Sequence, residues 1–530
     1  MSYDAIVYLF VFLPVSLVLY QLTPRRHRWK TLLAESGVFF WMLSGIRILW
    51  LFGAGLLTHC TGIWLAWLRT REKEMLAGEE DREQKKRIKQ LYQKNRRRVL
   101  ALGVMLLLAV LISMKYHNFF VRSLDMLPFR LPLPVTPEER NIILPVGISF
   151  YTLQAIGYMA DVYWGKNEPE EKPGRTLLFL GFFPQIMEGP ICRWSDTADR
   201  LFAGEPLQGR NLSEGYVRIF WGLFKKKIVA DRLAVPVAAI FDNYTQYSGV
   251  LIAVGAIAYT IQLYMEFSGC MDIIIGSGKL FGVCLPENFR QPFCARSAAE
   301  FWRRWHITLG TWFKTYIFYP VSMSSLVKRW NQFGRKHLGK EAAQLGVAGL
   351  ALFPVWLCNG LWHGPRWSYI FYGMYYFALI FAGEAVKPLR RNVLSVCHIN
   401  EDSRCWHIVQ TAKTWGIIFV GELFFRADGL RAGISMFGSL FRDFGVSRLW
   451  DGTLLDLGLG KADLAAVAGG CLVAAVVGHI LERRPDAQER LAAAPTPLRW
   501  AVYYGLILSV VLFAAYGDGY QAVDMIYAGF

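Results

Sequence analysis

Apolar runs of membrane-spanning length alternate along this chain with short basic stretches. Residues 3–20 are apolar and lead into Pro24-Arg25-Arg26-His27-Arg28-Trp29-Lys30. Residues 31–68 are apolar again, with a break at Ser44-Gly45, and suffice for two short passes. The segment 69–98 carries twelve Lys/Arg against six Asp/Glu and reads as a cytoplasmic insert, a solvated or interfacial helix. Further passes are expected over 99–116, 141–164, 250–267, 342–362, 367–385, 415–425, 464–480 and 500–516. The Pro-rich stretch 127–137 reads as an external loop or cap. Residues 215–241 contain Lys225-Lys226-Lys227, so their middle is expected at the cytoplasmic interface. Residues 181–194 (GFFPQIMEGPICRW) are too interrupted by Pro and Gly for a simple span. Irregular backbone at membrane depth survives only where protein or a watery cavity satisfies it, which marks this piece as re-entrant or cavity-lining. Glu188 and Arg193 are candidates for its lining.

Composition agrees with this pattern. Of 530 residues 54% are hydrophobic and 15% aromatic, and mean hydropathy is positive. The fold class is therefore all-α, a polytopic helical membrane protein. The net charge of +17 would suit nucleic acid in a soluble protein. Here basic loops held beside anionic membrane lipid explain it, and no nucleic-acid partner is expected. The basic cluster follows the first apolar run instead of preceding it, which argues against a cleaved signal peptide and puts the N-terminus outside. Nine scattered cysteines form no CxxC and no Cys/His ligand spacing, so no metal site is expected. No repeat of 20–50 residues, Walker loop or GxSxG elbow is found.

Two histidines stand in apolar company. At helical spacing Trp302, Trp305, His306, Leu309, Trp312 and Phe313 share one face, while Glu300, Arg303, Arg304, Thr308, Thr311 and Lys314 fall to the other. His306 thus lies on the apolar stripe although a polar stripe runs beside it. His363 ends an apolar run, and Gly364-Pro365 stops the helix there. A buried imidazole needs partners for its nitrogens, and each histidine alone is explained as a hydrogen-bonded core residue. Two together, flanked by Trp302, Trp305, Trp362 and Asn359, make a candidate site. Glu266 and Asp272 lie inside an apolar run, where a carboxylate is either functional or the partner of a nearby cation.

Several runs occur in a telling order: LPVGISFYTLQAIGYMADVYWG, FFPQIMEGPICRWSD, GLFKKKIVADRLA, AYTIQLYMEFSGCMDI, PENFRQPF, EFWRRWHITLGTWFKTYIFYP, LWHGPRWSYIFYG and ELFFRADGL. Together they resemble the bacterial branch of the membrane-bound O-acyltransferase superfamily, over nearly the whole chain. The likeness is to alginate O-acetyltransferase-like members, with D-alanyl transfer protein-like members as cousins. MEFSGCMD and the charged insert 69–98 depart from the alginate-type pattern.

The resemblance implies one membrane-embedded domain over residues 1–530, with about 11–13 spanning or re-entrant helices around a catalytic tunnel. It implies a catalytic segment 295–365, with His363 the catalytic histidine and His306 the second family residue, in a multi-pass protein of the bacterial cell membrane. The donor would be a cytoplasmic acyl thioester, acetyl-coenzyme A or an acyl carrier protein, used as cosubstrate with no bound cofactor. The acceptor would be an extracytoplasmic glycan or cell-wall polymer. A secreted or membrane-anchored SGNH/esterase-like protein is the expected partner. A neutral imidazole at His363 can act as general base. Asn359 can orient that ring or polarise the thioester carbonyl, while Trp302, Trp305, Trp362, Glu266 and Asp272 would line the substrate tunnel. Two other readings stand beside this one. A transporter or channel for an acyl or glycan intermediate explains spans and buried charges equally well, and D-alanyl transfer to teichoic acid changes only the group moved.

Overall fold

A computed structural model describes residues 2–125, 141–484 and 486–515, and all regular secondary structure among them is helical. Lipid offers no hydrogen bonds, so a spanning backbone must satisfy itself, and helices do this locally. Seven described helical stretches are long and apolar enough to cross a membrane: Arg25–Ala77, Arg82–Lys115, Gly249–Leu280, Lys340–His363, Arg404–Arg426, Lys461–Arg483 and Thr496–Phe513. Trp367–Ala385 with Lys387–Val396, bent by 55°, makes an eighth if counted as one span, and Tyr8–Leu22 is a shorter apolar helix. Each coincides with an apolar run of the sequence. Of the expected pass 141–164, only Ile148–Trp164 is helical. The expected loop 127–137 lies outside the described residues.

The described residues divide into two compact units, one formed by 2–125, 141–216 and 274–286, the other by 217–273, 287–484 and 486–515. In the first, helices α1 (Ile48–Ala77) and α2 (Arg82–Lys115) form a hairpin. Their 30 and 34 residues correspond to ~45 and ~51 Å at 1.5 Å per residue, against a hydrocarbon core of ~30 Å. The charged segment 69–98 is therefore the protruding tip of this hairpin, continuous with both spans. Asp81 caps α2 by accepting from the amides of Glu83 and Gln84, and Arg96 pairs with Glu72 across the hairpin at 2.9 Å.

In the same unit, residues 182–192 are non-helical and buried throughout, as the Pro and Gly content predicts. Side chains satisfy their backbone. The Tyr3 hydroxyl donates to the Phe183 carbonyl (2.8 Å) and accepts from the Met187 amide (3.1 Å), and Ser36 Oγ accepts from the Phe183 amide. Gly147, at φ +71, lets Ile186 pass so close that a Cβ would sit 1.8 Å from its carbonyl oxygen. Glu188 is buried here, whereas Arg193 is partly exposed and pairs with Asp196.

The second unit contains helix α3 (Gly249–Leu280) as far as Ile273, the short helices α4 (Ala298–Arg304) and α5 (Ile307–Phe313), and the long helices α6 (Lys340–His363), α7 (Trp367–Ala385) and α8 (Arg404–Arg426). Lys225 and Lys226 are buried within a π-helical turn because carboxylates meet them. Asp272 reaches Lys225 at 2.5 Å, and Asp231 and Glu266 reach Lys226 at 3.3 and 3.7 Å.

Candidate active site

The helix expected to carry His306 is broken at His306 itself. α4 ends at Arg304, α5 begins at Ile307, and His306 adopts a left-handed conformation (φ +47) between them. This conformation costs a residue with a Cβ roughly 1–2 kcal/mol, so something must hold it. Asn288, fully buried in the stretch after α3, supplies the hold. Its backbone carbonyl accepts from the Ile307 amide (2.9 Å). Its side-chain Oδ1 accepts from the Thr308 amide (3.1 Å) and the Thr308 hydroxyl (2.9 Å), and lies 3.1 Å from His306 Nδ1. Asn288 thus caps α5 from outside the helix, a role His306 does not fill with its own side chain. Neither α4 nor α5 is long enough to span, and burial pushes the His306 imidazole down to about 3, which keeps it neutral.

His363 is the last residue of α6, which stops at Gly364-Pro365 as the sequence predicts. The returning helix α7 packs against α6 at glycine contacts. A Cβ on Gly373 would sit 2.3 Å from the Trp356 carbonyl oxygen, and one on Gly360 2.4 Å from that of Tyr369. This close crossing presses the end of α6 into an aromatic box. The His363 ring meets Phe425 at 5.1 Å and Tyr372 at 5.9 Å between centroids, both edge-on. Trp362 links the two histidines, its ring 5.5 Å from that of His306 and 5.1 Å from that of His363. All three side chains are buried.

The structure brings some of the other candidates to this core and leaves others elsewhere in the unit. Asn359 is buried one helical turn before His363, and no partner for its Oδ1 occurs among the described residues. Trp302 packs on Trp356, Tyr372 and Tyr376, behind the His363 box. Trp305 lies against Phe289 and Tyr264, two rings that line a polar cavity of about 550 Å³. Arg218, Lys225, Asp272, Glu287 and Asn288 also line it. Asp272 bridges Lys225 and Arg218 (2.5 and 2.6 Å), and Arg218 also holds Glu287 (2.6 Å). Burial works against both cations. It leaves Lys225 below the ordinary lysine range, while Asp272 and Glu287 hold Arg218 above the ordinary arginine value. Glu266 belongs to the Lys226 ion pair and is not among the residues lining the cavity.

Four participants were not singled out from the sequence. Tyr372 and Phe425 wall His363, and the Tyr372 hydroxyl donates to Oε1 of the fully buried Glu422 at 2.9 Å. Glu422 stands in WGIIFVGELFF and carries the same mark, a carboxylate inside an apolar run, that drew attention to Glu266 and Asp272. Asn288 lies in the quoted run PENFRQPF, but nothing in the spacing connects it to His306, 18 residues away.

Chemically, the arrangement is two buried imidazoles in a water-poor aromatic enclosure, one of them held by an amide that also lines a charged cavity. Such a site can take a proton from a nucleophile while keeping a hydrolysable ester from water.

Comparison with known proteins accords with this chemistry. The pattern of the membrane-bound O-acyltransferase family matches residues 175–334. The chain is similar to "Probable alginate O-acetylase AlgI" of Azotobacter vinelandii, 32% identical over 489 residues, covering 90% of this chain and 84% of that protein. It is similar to the peptidoglycan O-acetyltransferase of Helicobacter pylori, 29% identical over 374 residues (66% and 65%). It is also similar to the teichoic acid D-alanyltransferase of Bacillus subtilis, 27% identical over 260 residues (47% and 61%).

Proposed function

The chain belongs to the membrane-bound O-acyltransferase family, and we propose that it moves an acetyl group from a cytoplasmic thioester to hydroxyls of an extracytoplasmic polysaccharide, with His363 as general base. That it is a multi-pass membrane O-acyltransferase follows from the family. The donor, the acceptor and the roles of the histidines are our reading. One observation carries it: the RWH and WHG histidines, 57 positions apart in sequence, are joined through the single indole of Trp362 in a buried enclosure.

The steps balance without a covalent enzyme intermediate. The acceptor hydroxyl oxygen attacks the thioester carbonyl as its proton passes to His363. The tetrahedral intermediate then collapses, the C–S bond breaks, and the leaving thiolate takes the proton back from the imidazolium. Base assistance of this kind contributes typically ~10²–10⁴ in rate. The aromatic box around His363 limits competing hydrolysis.

The cavity beside Asn288 suits the donor. Of the three cations lining it, Arg218 and Lys225 have carboxylate partners, and Arg290 has none within ion-pair distance among the described residues. An anionic thioester carrier would find its free counter-charge there. The extracytoplasmic acceptor and an esterase-like partner protein rest on family likeness; two of the relatives carry names that specify alginate and peptidoglycan as acceptors.

The test compares O-acyl content of the cell's surface polymers in wild type, His363→Ala and His306→Ala at matched membrane expression. Acyl groups should vanish from one polymer in the first variant and fall in the second, and the polymer affected identifies the acceptor. Unchanged acylation in His363→Ala would end the reading.

A further inference from the structure

His306 has two ring nitrogens, and its chemistry depends on which of them carries the proton. Hydrogen positions must be reasoned from the bonding network, and here the network is decisive. A backbone amide can only donate, so the bond from the Thr308 amide to Asn288 fixes the acceptor atom as Oδ1. The other end of the amide, Nδ2, faces Met271 Sδ at 3.3 Å, as a donor facing a weak acceptor should. The atom 3.1 Å from His306 Nδ1 is therefore an oxygen with lone pairs only. For that contact to be a hydrogen bond, Nδ1 must bear the proton.

We propose that Asn288 is a positioning residue that locks His306 in its Nδ1–H tautomer, so that Nε2 is the proton acceptor of a ring packed edge-on against Phe267 and Trp362. The functional part of this inference rests on His306 being a member of the transfer site. Its consequence is specific. With the lone pair at Nε2, a neutral His306 cannot donate a hydrogen bond there to the thioester carbonyl oxygen. It can only accept, which suits it to orient the attacking hydroxyl and leaves oxyanion stabilisation to another donor, such as the Asn359 amide. The same Asn288 oxygen satisfies the first turn of α5, so the left-handed backbone and the ring tautomer of His306 share one anchor. Because Asn288 also lines the charged cavity, donor binding and histidine orientation meet at one side chain.

The test uses full-length protein reconstituted in lipid with ¹⁵N-labelled histidine rings, observed by solid-state NMR at pH 7. The His306 signals are those lost in His306→Gln. The expected result is a protonated-type Nδ1 and a pyridine-type Nε2 in the wild type, with mixed tautomers in Asn288→Ala. Turnover of Asn288→Ala should fall about 10–100-fold. Asn288→Asp covers the case in which the alanine variant fails to fold. It keeps every acceptor contact and adds negative charge beside Nδ1, so His306 Nε2 should take up its second proton at higher pH than in the wild type, read in the same spectra. A bare Nδ1 in the wild type, or an Nε2 protonation unmoved in Asn288→Asp, overturns the proposal. If the tautomer is as expected but His306→Gln retains full turnover, Asn288 still sets the tautomer and it is the catalytic reading of His306 that fails.

Discussion

The crossing of α6 and α7 is where a single methyl group should be most costly to activity. In Gly373→Ala the new Cβ would lie 2.3 Å from the Trp356 carbonyl oxygen and 3.1 Å from the Gly360 amide nitrogen, against an ordinary contact of 3.4 Å or more. Both obstacles are backbone, so no rotamer change relieves the overlap and the helices must separate by about 1 Å. That displacement passes directly to His363, three residues beyond Gly360 at the end of α6, and draws it from Tyr372 and Phe425. Misplacement of reacting groups by 1 Å is worth about 10²-fold in rate. Overpacking itself costs typically ~1–3 kcal/mol, so the protein should remain folded while turnover collapses. Two controls isolate the cause. Gly383→Ala adds the same methyl to the same helix where nothing lies within 4 Å. Gly421→Ala meets a side chain instead of backbone, the Tyr376 hydroxyl at 2.3 Å and its Cζ at 2.8 Å, so pairing it with Tyr376→Phe should recover part of what it loses. The assay is acyl transfer to polymer in membrane vesicles, normalised to the amount of folded protein. Turnover of Gly373→Ala within twofold of Gly383→Ala would refute the view that this crossing sets the position of His363.

Three further outcomes follow from the polar groups around the site. Glu422→Gln keeps an acceptor for Tyr372 and should leave thermal stability in detergent nearly unchanged. Glu422→Leu removes the carboxylate that accepts from the Tyr372 hydroxyl and should cost about 1–3 kcal/mol. Asp272→Ala removes the carboxylate shared by Arg218 and Lys225 and should destabilise by about 3–5 kcal/mol, read as a lowered melting temperature. Arg290→Ala should raise the KM of an anionic thioester donor several-fold and leave kcat and melting temperature in place, since the side chain is exposed and supports no ion pair among the described residues. An unchanged KM would remove the donor from this cavity.

How far the molecule could be read from its sequence depended on the distance over which each feature is determined. Spans are local. A run of about twenty apolar residues satisfies its own backbone, so the apolar runs appear as helices and the Pro/Gly-broken segment 182–192 as buried irregular chain. The end of α6 is local too, because Gly364-Pro365 cannot continue it. The break at His306 is not. Its apolar periodicity runs unbroken from Trp302 to Phe313, and residue spacing alone favours one continuous helix there. What ends α4 is a competing set of acceptors on Asn288, whose position depends on how the chain returns after α3. The burial of Lys225 and Lys226 is non-local as well. Charge alone does not announce it, and Asp272 and Glu266 on α3, with Asp231, make it tolerable. Glycines 360 and 373 look like ordinary small residues in apolar helices until the two helices cross. The histidines were visible because an imidazole on an apolar stripe is anomalous in its own sequence window. Their partners Asn288, Tyr372 and Glu422 are unremarkable within theirs, and become functional only through contacts between distant segments. The chemistry of this site therefore divides in two: the groups proposed to move the proton can be found by periodicity, and the groups that orient them can be found only in three dimensions.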